Sequence, residues 1–203
     1  MSGEHEYVRC FLQGDNSVGK TTLCITHKSK EFPARIPARV PTSYAGNHTV
    51  IEAYGGRRVT VTVVYSEIPT VSFPREEYWP KFYTRCEVCL MCFSLVDPRT
   101  YKNILKEYYA HFTTRRFDVP ILVVGTKCDL VNNVDTLSRL RGEGEAPLTR
   151  EDGLRLAETI NAVGYVECSS LTGLGIDQVF REACKAGLDA KEREPRSKRC
   201  AIM

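Results

Sequence analysis

The chain has 203 residues, a hydrophobic share of 42% and a formal net charge of +3, which suits one compact domain followed by a tail. This net charge is too small to predict nucleic-acid binding across the surface, especially since the basic residues gather at the C-terminus. No apolar run is long enough to span a membrane, and the polar first ten residues predict neither a secretory signal nor a transit peptide.

The first motif along the chain is a glycine-rich loop that follows a predicted strand at residues 8–12. It fits the phosphate-loop pattern G-x-x-x-x-G-K-S/T and reads Gly14-Asp15-Asn16-Ser17-Val18-Gly19-Lys20-Thr21. Its glycines let backbone N–H groups close around phosphate oxygens, Lys20 supplies a point charge, and the Thr21 hydroxyl can ligate magnesium. The helix predicted at residues 22–29 adds its positive N-terminal end. The loop therefore predicts nucleotide binding, although an ordinary glycine turn can match so short a pattern.

A proline-punctuated loop and a hairpin come next. The loop covers residues 32–46, and we expect it to be mobile or ordered by a ligand. Two β-rich runs follow at residues 47–54 and 57–65, and Gly55-Gly56 between them predicts a tight antiparallel hairpin. Residues 66–82 are irregular, with a helix as one interpretation of their second half.

Strands and helices alternate through the second half of the chain. Asp97-Pro98 supplies a cap and a first-turn proline for one helix, and Thr149 with Asp152 opens another. The predicted strands cover residues 88–94, 121–125 and 165–168, and the predicted helices cover residues 99–114, 149–161 and 175–191. A polar stretch at about residues 131–147 is interpreted as a surface insert whose second half is loop.

This alternation predicts an α/β fold, a doubly wound three-layer P-loop G domain with a mostly parallel six-stranded sheet. We expect the domain to cover residues 1–190 and a flexible basic tail to cover residues 191–203. Nine cysteines are present, but most fall in apolar patterns, where a reduced cysteine acts as a small hydrophobe. Cys89 and Cys92 would point to opposite faces of a strand, so they predict core packing rather than a metal site.

Two further loops lie at the ends of predicted strands, where open α/β sheets bind their ligands. In Thr126-Lys127-Cys128-Asp129, the Asp129 carboxylate can accept both guanine N1–H and N2–H, a pairing that adenine cannot offer. The Lys127 stem can cover the base. The segment Glu167-Cys168-Ser169-Ser170-Leu171 can aim a backbone N–H at guanine O6. Three strand-end loops in this order predict a guanine-nucleotide pocket.

With these segments in place, the chain resembles a small GTPase of the Ras superfamily and, within it, the Rho/Rac family. The resemblance rests on residues 14–21, Val40-Pro41-Thr42, Leu90-Met91-Cys92-Phe93-Ser94, residues 123–130, residues 167–172 and Cys200. The Leu-Met-Cys-Phe-Ser strand, the Thr-Lys-x-Asp form and the insert are Rho-type features. The resemblance implies GTP or GDP with Mg²⁺ as the bound cofactors.

The resemblance also implies roles for individual residues. Lys20 would bind the β- and γ-phosphates and Thr21 would bind magnesium, joined by Thr42 only when a γ-phosphate is present. Lys127 and Asp129 would bind guanine, Ser170 would donate its backbone N–H, and Phe32 would pack on the base. The full set of expected nucleotide contacts is Gly14, Asn16, Ser17, Val18, Gly19, Lys20, Thr21, Thr22, Phe32, Thr42, Thr126, Lys127, Asp129, Ser169, Ser170 and Leu171.

The chain departs from the family pattern at two places that matter for hydrolysis. The family motif Asp-Thr-Ala-Gly-Gln, which holds magnesium and orients the attacking water, is replaced by residues 64–72 without Asp, Gly or Gln. Asn16 stands where the Rho phosphate loop has Gly, and its side chain crowds the space of the catalytic water. We assign no catalytic residue and expect a switch that binds GTP but hydrolyses it weakly or not at all. The alternatives are an interaction scaffold that binds no nucleotide and an ordinary cycling GTPase, which requires Glu67 or another residue to substitute for the Gln.

The chain ends in Cys200-Ala201-Ile202-Met203, which fits C-a-a-X, and the final Met favours a farnesyl group on Cys200. An inert terminus is the alternative. Residues 191–199 hold five basic and two acidic side chains, an excess of three that contributes roughly 3 kcal/mol near an anionic leaflet. One lipid and a basic tail together predict reversible anchoring at the cytoplasmic face of plasma or internal membranes, with a cytosolic pool. We expect a monomer whose partners are effectors and regulators of Rho type, with a link to the actin cytoskeleton implied by the resemblance alone.

Overall fold

The computed structural model describes residues 5–36, 43–53, 57–67, 86–114 and 118–193. Its strands are β1 (His5–Gln13), β2 (Ser43–Ala53), β3 (Arg57–Glu67), β4 (Val88–Ser94), β5 (Ile121–Thr126) and β6 (Gly164–Cys168). Its helices are α1 (Lys20–Ser29), α2 (Pro98–Asn103), the π-helix π1 (Ile104–Tyr109), α3 (Ala110–Thr114), α4 (Val134–Gly142), α5 (Arg150–Thr159) and α6 (Ile176–Arg193), with a 3-10 turn at Cys128–Leu130.

The six strands form one sheet in the order β2-β3-β1-β4-β5-β6. β2 pairs antiparallel with β3, and every other neighbouring pair in this sheet is parallel. All residues of β4 and β5 are buried, as expected for central strands covered on both faces. The predicted doubly wound α/β fold with a mostly parallel six-stranded sheet is confirmed.

Two hydrophobic cores lie on the two faces of the sheet. Cys92 packs in the core that includes residues of α1 and α6, and Cys89 packs in the other core, with residues of π1 and α5. The prediction that these two cysteines face opposite sides of β4 is therefore confirmed. None of the eight cysteines among the described residues forms a disulfide, and burial raises the pKa of the Cys89 thiol well above its usual range. No three His, Cys, Asp or Glu residues gather into a metal site within the described part of the chain.

The helix starts follow their sequence signals. Asp97 accepts a hydrogen bond from the N–H of Arg99 at the start of α2, and Thr149 forms a capping box with Asp152 at the start of α5. Both caps satisfy N–H groups that the first helical turn leaves without a partner. None of the helices in the described ranges is long and apolar enough to cross a membrane.

Several predicted boundaries and one predicted element differ from the structure. The helix predicted at residues 99–114 is three segments, because π1 interrupts it between α2 and α3. Residues 66–67, predicted as irregular, continue β3, where they pair with β1. The polar stretch at residues 131–147 contains α4 and then a loop, which confirms a loop in its second half. The predicted turn at Gly55-Gly56 and residues 68–82 lie outside the described residues.

Candidate functional site

The phosphate-loop sequence connects the C-terminal end of β1 to the first turn of α1. Gly14 has a φ of 140°, and a Cβ built there would lie 2.0 Å from the carbonyl oxygen of Cys92. Only glycine fits at this position, because the loop backbone runs directly against β4. Gly19 has a φ of 101° and precedes Lys20, the first residue of α1. The two glycines thus allow a close turn between the strand and the helix.

Lys20 folds back over this loop. Its Nζ donates hydrogen bonds to the carbonyl oxygens of Gly14, at 2.8 Å, and Asp15, at 2.7 Å. The side chain is only 9% exposed, so its positive charge lies inside the loop. Gly19 has no side chain with which to cap α1, and the positive N-terminal end of this helix faces the same loop as the Lys20 ammonium. A helix N-terminus and a converging ammonium group form a site suited to an anion such as a phosphate.

The loop after β5 is tied directly to the phosphate loop. The Thr126 hydroxyl donates its one proton to the carbonyl of Val18 at 2.6 Å, and the carbonyl oxygen of Phe93 lies 2.9 Å from the same hydroxyl oxygen. Lys127 has a φ of 61°, and its Nζ donates to the carbonyl of Ser17 at 2.7 Å. These bonds bring together two motifs that lie about half the chain apart in sequence.

The electrostatics of Lys127 reflect this position. Burial lowers the pKa of the Lys127 ammonium, and the negative charges of Asp97 and Asp129 act in the opposite direction. Asp129 lies in the 3-10 turn directly after Lys127. Lys127 and Asp129 therefore both lie in the loop at the carboxyl end of β5.

The loop after β6 forms a compact turn. Ser169 is fully buried, its N–H donates to the carbonyl of Leu174 at 2.9 Å, and its hydroxyl accepts from the N–H of Thr172 at 3.1 Å. The carbonyl of Ser170 accepts from the hydroxyl of Thr26 on α1 at 3.5 Å. This loop therefore packs beside α1, at the same edge of the sheet as the other two loops.

The structure brings most of the predicted contact residues to one edge of the sheet. The phosphate loop, Thr126, Lys127, Asp129 and the turn after β6 all follow the carboxyl ends of parallel strands. Leu171 is exposed in the turn after β6, and Phe32 is 44% exposed just beyond the end of α1. Thr42 and Cys200 lie outside the described residues, so the structure does not locate the second predicted magnesium ligand or the predicted lipidation site.

The residues present fit a nucleotide phosphate. The backbone at Gly14 leaves no room for a side chain, Lys20 points its ammonium into the loop, and Thr21 follows it in the first turn of α1. Mg²⁺ is commonly bound by one or two protein oxygens, with phosphate oxygens and water completing its octahedron. A hydroxyl at Thr21 is compatible with such a shell.

One residue of the phosphate loop makes contacts that the sequence did not predict. The side chain of Asp15 is hydrogen-bonded to α2 and π1, whereas the sequence pattern assigned no role to that side chain. The only signal in the sequence was that Asp15 puts a negatively charged side chain in a loop that is suited to binding an anion. The partners could not be found from the sequence because they depend on the π-helical register.

A comparison with known protein families agrees with this site. Residues 9–188 match the family described as the Ras family. The match runs from β1 into α6 and includes all three loops at the carboxyl edge of the sheet.

Proposed function

Because the chain belongs to the Ras family and is thus a small GTP-binding signalling protein, we propose that it is a Rho-like switch that holds GTP and hydrolyses it poorly. One observation carries the nucleotide-binding part of this proposal. Thr126 and Lys127 donate hydrogen bonds to the carbonyls of Val18 and Ser17. These bonds join residues 126–129, which we call the base-recognition loop, to the phosphate loop. Two loops fixed to each other can receive the two ends of one nucleotide.

We assign the expected contacts as follows in this proposal. Lys20 binds the β- and γ-phosphates together with backbone N–H groups of the phosphate loop, and Thr21 binds Mg²⁺. Asp129 accepts hydrogen bonds from guanine while the stem of Lys127 covers the ring. The remaining contacts are Gly14, Asn16, Ser17, Val18, Gly19, Thr22, Phe32, Thr42, Thr126, Ser169, Ser170 and Leu171.

The Rho-type assignment is supported by the insert between β5 and α5. It contains α4, and the structure fixes it to the end of β4 through two hydrogen bonds. Arg139 of α4 donates to the carbonyl of Val96 at 2.9 Å, and the N–H of Leu148 donates to the carbonyl of Leu95 at 2.8 Å. An ordered helical insert at this place is in keeping with the Rho branch, whose members act through effector and regulator proteins.

Weak hydrolysis is supported by the residues at the end of β3. The sequence there is Val64-Tyr65-Ser66-Glu67 rather than the Asp-Thr-Ala-Gly-Gln motif. Tyr65 is fully buried, and its hydroxyl lies 2.5 Å from Nδ1 of His27, so it belongs to the core. Asn16 is exposed on the phosphate loop, where a side chain restricts the approach of an attacking water. The positioning of the attacking water and the stabilisation of charge in the transition state are both weakened as a result.

A single-turnover assay tests this part of the proposal. Unassisted hydrolysis by an intact site proceeds at about 10⁻⁴ per second, and a GTPase-activating protein raises it about 10⁵-fold. We expect phosphate release from the GTP-loaded chain at or below the unassisted rate, with no stimulation by an activating protein for Rho-type GTPases. Asn16→Gly should not restore stimulation, because the water-orienting Gln is still missing. Fast phosphate release from the unchanged chain would refute the proposal and favour an ordinary cycling GTPase.

The competing candidate is an interaction scaffold that binds no nucleotide. The missing magnesium-binding Asp and γ-phosphate-binding Gly favour it. The buried Lys20 and the bonds from Lys127 and Thr126 to the phosphate loop count against it. A chain that had lost its ligand would have no need of a lysine buried among backbone carbonyls.

We further propose that Cys200 is farnesylated and that residues 191–203 anchor the chain reversibly at the cytoplasmic leaflet. Without the lipid, the three excess basic charges alone contribute roughly 3 kcal/mol, too little for stable attachment. Cys200→Ser should therefore move the protein from the membrane fraction to the cytosolic fraction of cells. Ser197→Ala, which keeps the charge and length of the tail, is the matched control. Equal membrane binding of Cys200→Ser and the unchanged chain would contradict the anchor.

A further inference from the structure

The carboxylate of Asp15 is held by two side chains from the neighbouring helical segment. The Tyr108 hydroxyl donates to its Oδ1 at 2.9 Å, and the Asn103 amide donates to its Oδ2 at 2.7 Å. Tyr108 is 2% exposed, so little water competes for its hydroxyl. Hydrogen bonds to an ionised acceptor of this kind are about twice as strong as neutral ones.

The π-helical register explains how both side chains reach one carboxylate. Asn103 is the last residue of α2, and Tyr108 lies five positions later in π1. In an α-helix, residues five positions apart point about 140° away from each other. The i→i+5 bonding of a π-helix instead stacks residues five apart, and such segments are frequent at functional sites. The π-helix therefore places Asn103 and Tyr108 on the side that faces Asp15.

Asp15 is also connected to the phosphate-binding lysine. Its carbonyl oxygen accepts a hydrogen bond from Nζ of Lys20 at 2.7 Å, while its carboxylate is bonded to α2 and π1. On the far side of the loop, the carbonyls of Ser17 and Val18 accept from Lys127 and Thr126. The phosphate loop is thus fixed at both ends, and Asp15 is the residue that attaches it to α2 and π1.

We propose that Asp15, Asn103 and Tyr108 form a brace that positions the phosphate loop for the β-phosphate and slows nucleotide release. The three are positioning residues, since their side chains act through the loop backbone and Lys20. The proposal rests on the proposed function, because it concerns the same nucleotide site. A loop fixed in its binding conformation loses less conformational entropy when the ligand binds, which strengthens affinity.

Tyr108→Phe tests the brace, because it removes one hydroxyl and keeps the ring that packs in the core. We expect a fluorescent GDP analogue to dissociate about tenfold faster from this variant, the effect of losing one hydrogen bond to a charged group. The ratio of GDP to GMP affinity should fall by a similar factor, because GMP has no β-phosphate for the loop to bind. The matched control is Tyr101→Phe in α2, whose hydroxyl donates to the carbonyl of Asp152 at 3.3 Å, away from the loop.

A double-mutant cycle separates positioning from general stability. In an Asp15→Ala background, Tyr108→Phe should leave the dissociation rate unchanged, because the bond is already absent. Equal acceleration in both backgrounds, or equal effects of Tyr108→Phe and Tyr101→Phe, would overturn the brace while leaving the proposed function intact. Failure of the unchanged chain to bind GDP would instead contradict the proposed function itself, and the brace with it.

Discussion

Replacing Lys20 by alanine should weaken GDP binding by about a hundredfold or more, because each hydrogen bond from a charged group contributes about 1.5–3 kcal/mol. In the structure, Nζ of Lys20 lies against the carbonyls of Gly14 and Asp15 and is largely buried. A bound diphosphate would add phosphate oxygens that carry full negative charge, and the ammonium group, with three protons to donate, can bind them while it keeps a carbonyl acceptor of the loop. Isothermal titration calorimetry with nucleotide-free protein measures the change directly.

Lys28→Ala is the matched control for Lys20. Lys28 is an exposed residue of the same helix, about 12 Å along its axis from Lys20 at 1.5 Å per residue. The control removes the same charge and stem, and we expect GDP affinity within about twofold of the unchanged chain because a distant exposed charge is screened by salt. Equal losses in the two variants would show that general electrostatics, and not the phosphate loop, governs binding.

Asp129→Ala should reduce the preference for guanine over adenine by about two orders of magnitude. A site built to hydrogen-bond a ligand group discriminates by about 10⁴–10⁵ against an analogue that lacks it. We expect GDP affinity to fall by about two orders of magnitude, as the loss of two hydrogen bonds to a carboxylate predicts, while the weak affinity for ADP stays nearly constant. The measurement is the ratio of GDP to ADP dissociation constants.

Asp135→Ala provides the comparison for Asp129. Asp135 is exposed in the first turn of α4, so its replacement removes one negative charge close in sequence to the base-recognition loop but outside it. The GDP to ADP ratio should be the same in this variant as in the unchanged chain. A preserved ratio in Asp129→Ala would mean that another group recognises the base.

The parts of the fold that depend on local sequence could be predicted. The strand at residues 88–94 is predicted with its observed bounds, because a short and nearly uninterrupted apolar run suits a strand buried on both faces. Thr149 and Asp152 mark the start of α5 because the capping box involves only residues of one turn. The phosphate loop is equally local, since Gly14 and Gly19 hold the backbone conformations that few other residues adopt.

The parts of the fold and of the site that depend on contacts between distant residues could not be predicted from the sequence. Nothing near Asn103 in the sequence indicates that the helix changes to π-helical register, and the carboxylate that Asn103 binds belongs to Asp15, 88 residues earlier in the chain. The bond from Lys127 to the carbonyl of Ser17 likewise joins residues far apart in sequence. Its donor was predicted as a base-binding residue, but the acceptor could be identified only from the arrangement of β1 and β5 in the sheet.

The most direct test is to identify the nucleotide that the chain carries. Full-length protein purified under mild conditions is denatured, and the released nucleotide is separated by anion-exchange chromatography. We predict guanine nucleotide in equimolar amount to protein, with GTP exceeding GDP, because the site holds GTP and cleaves it slowly. Protein that carries no nucleotide and does not take up GDP or GTP when both are supplied would contradict a GTP-holding switch, and GDP as the sole bound nucleotide would contradict its weak hydrolysis.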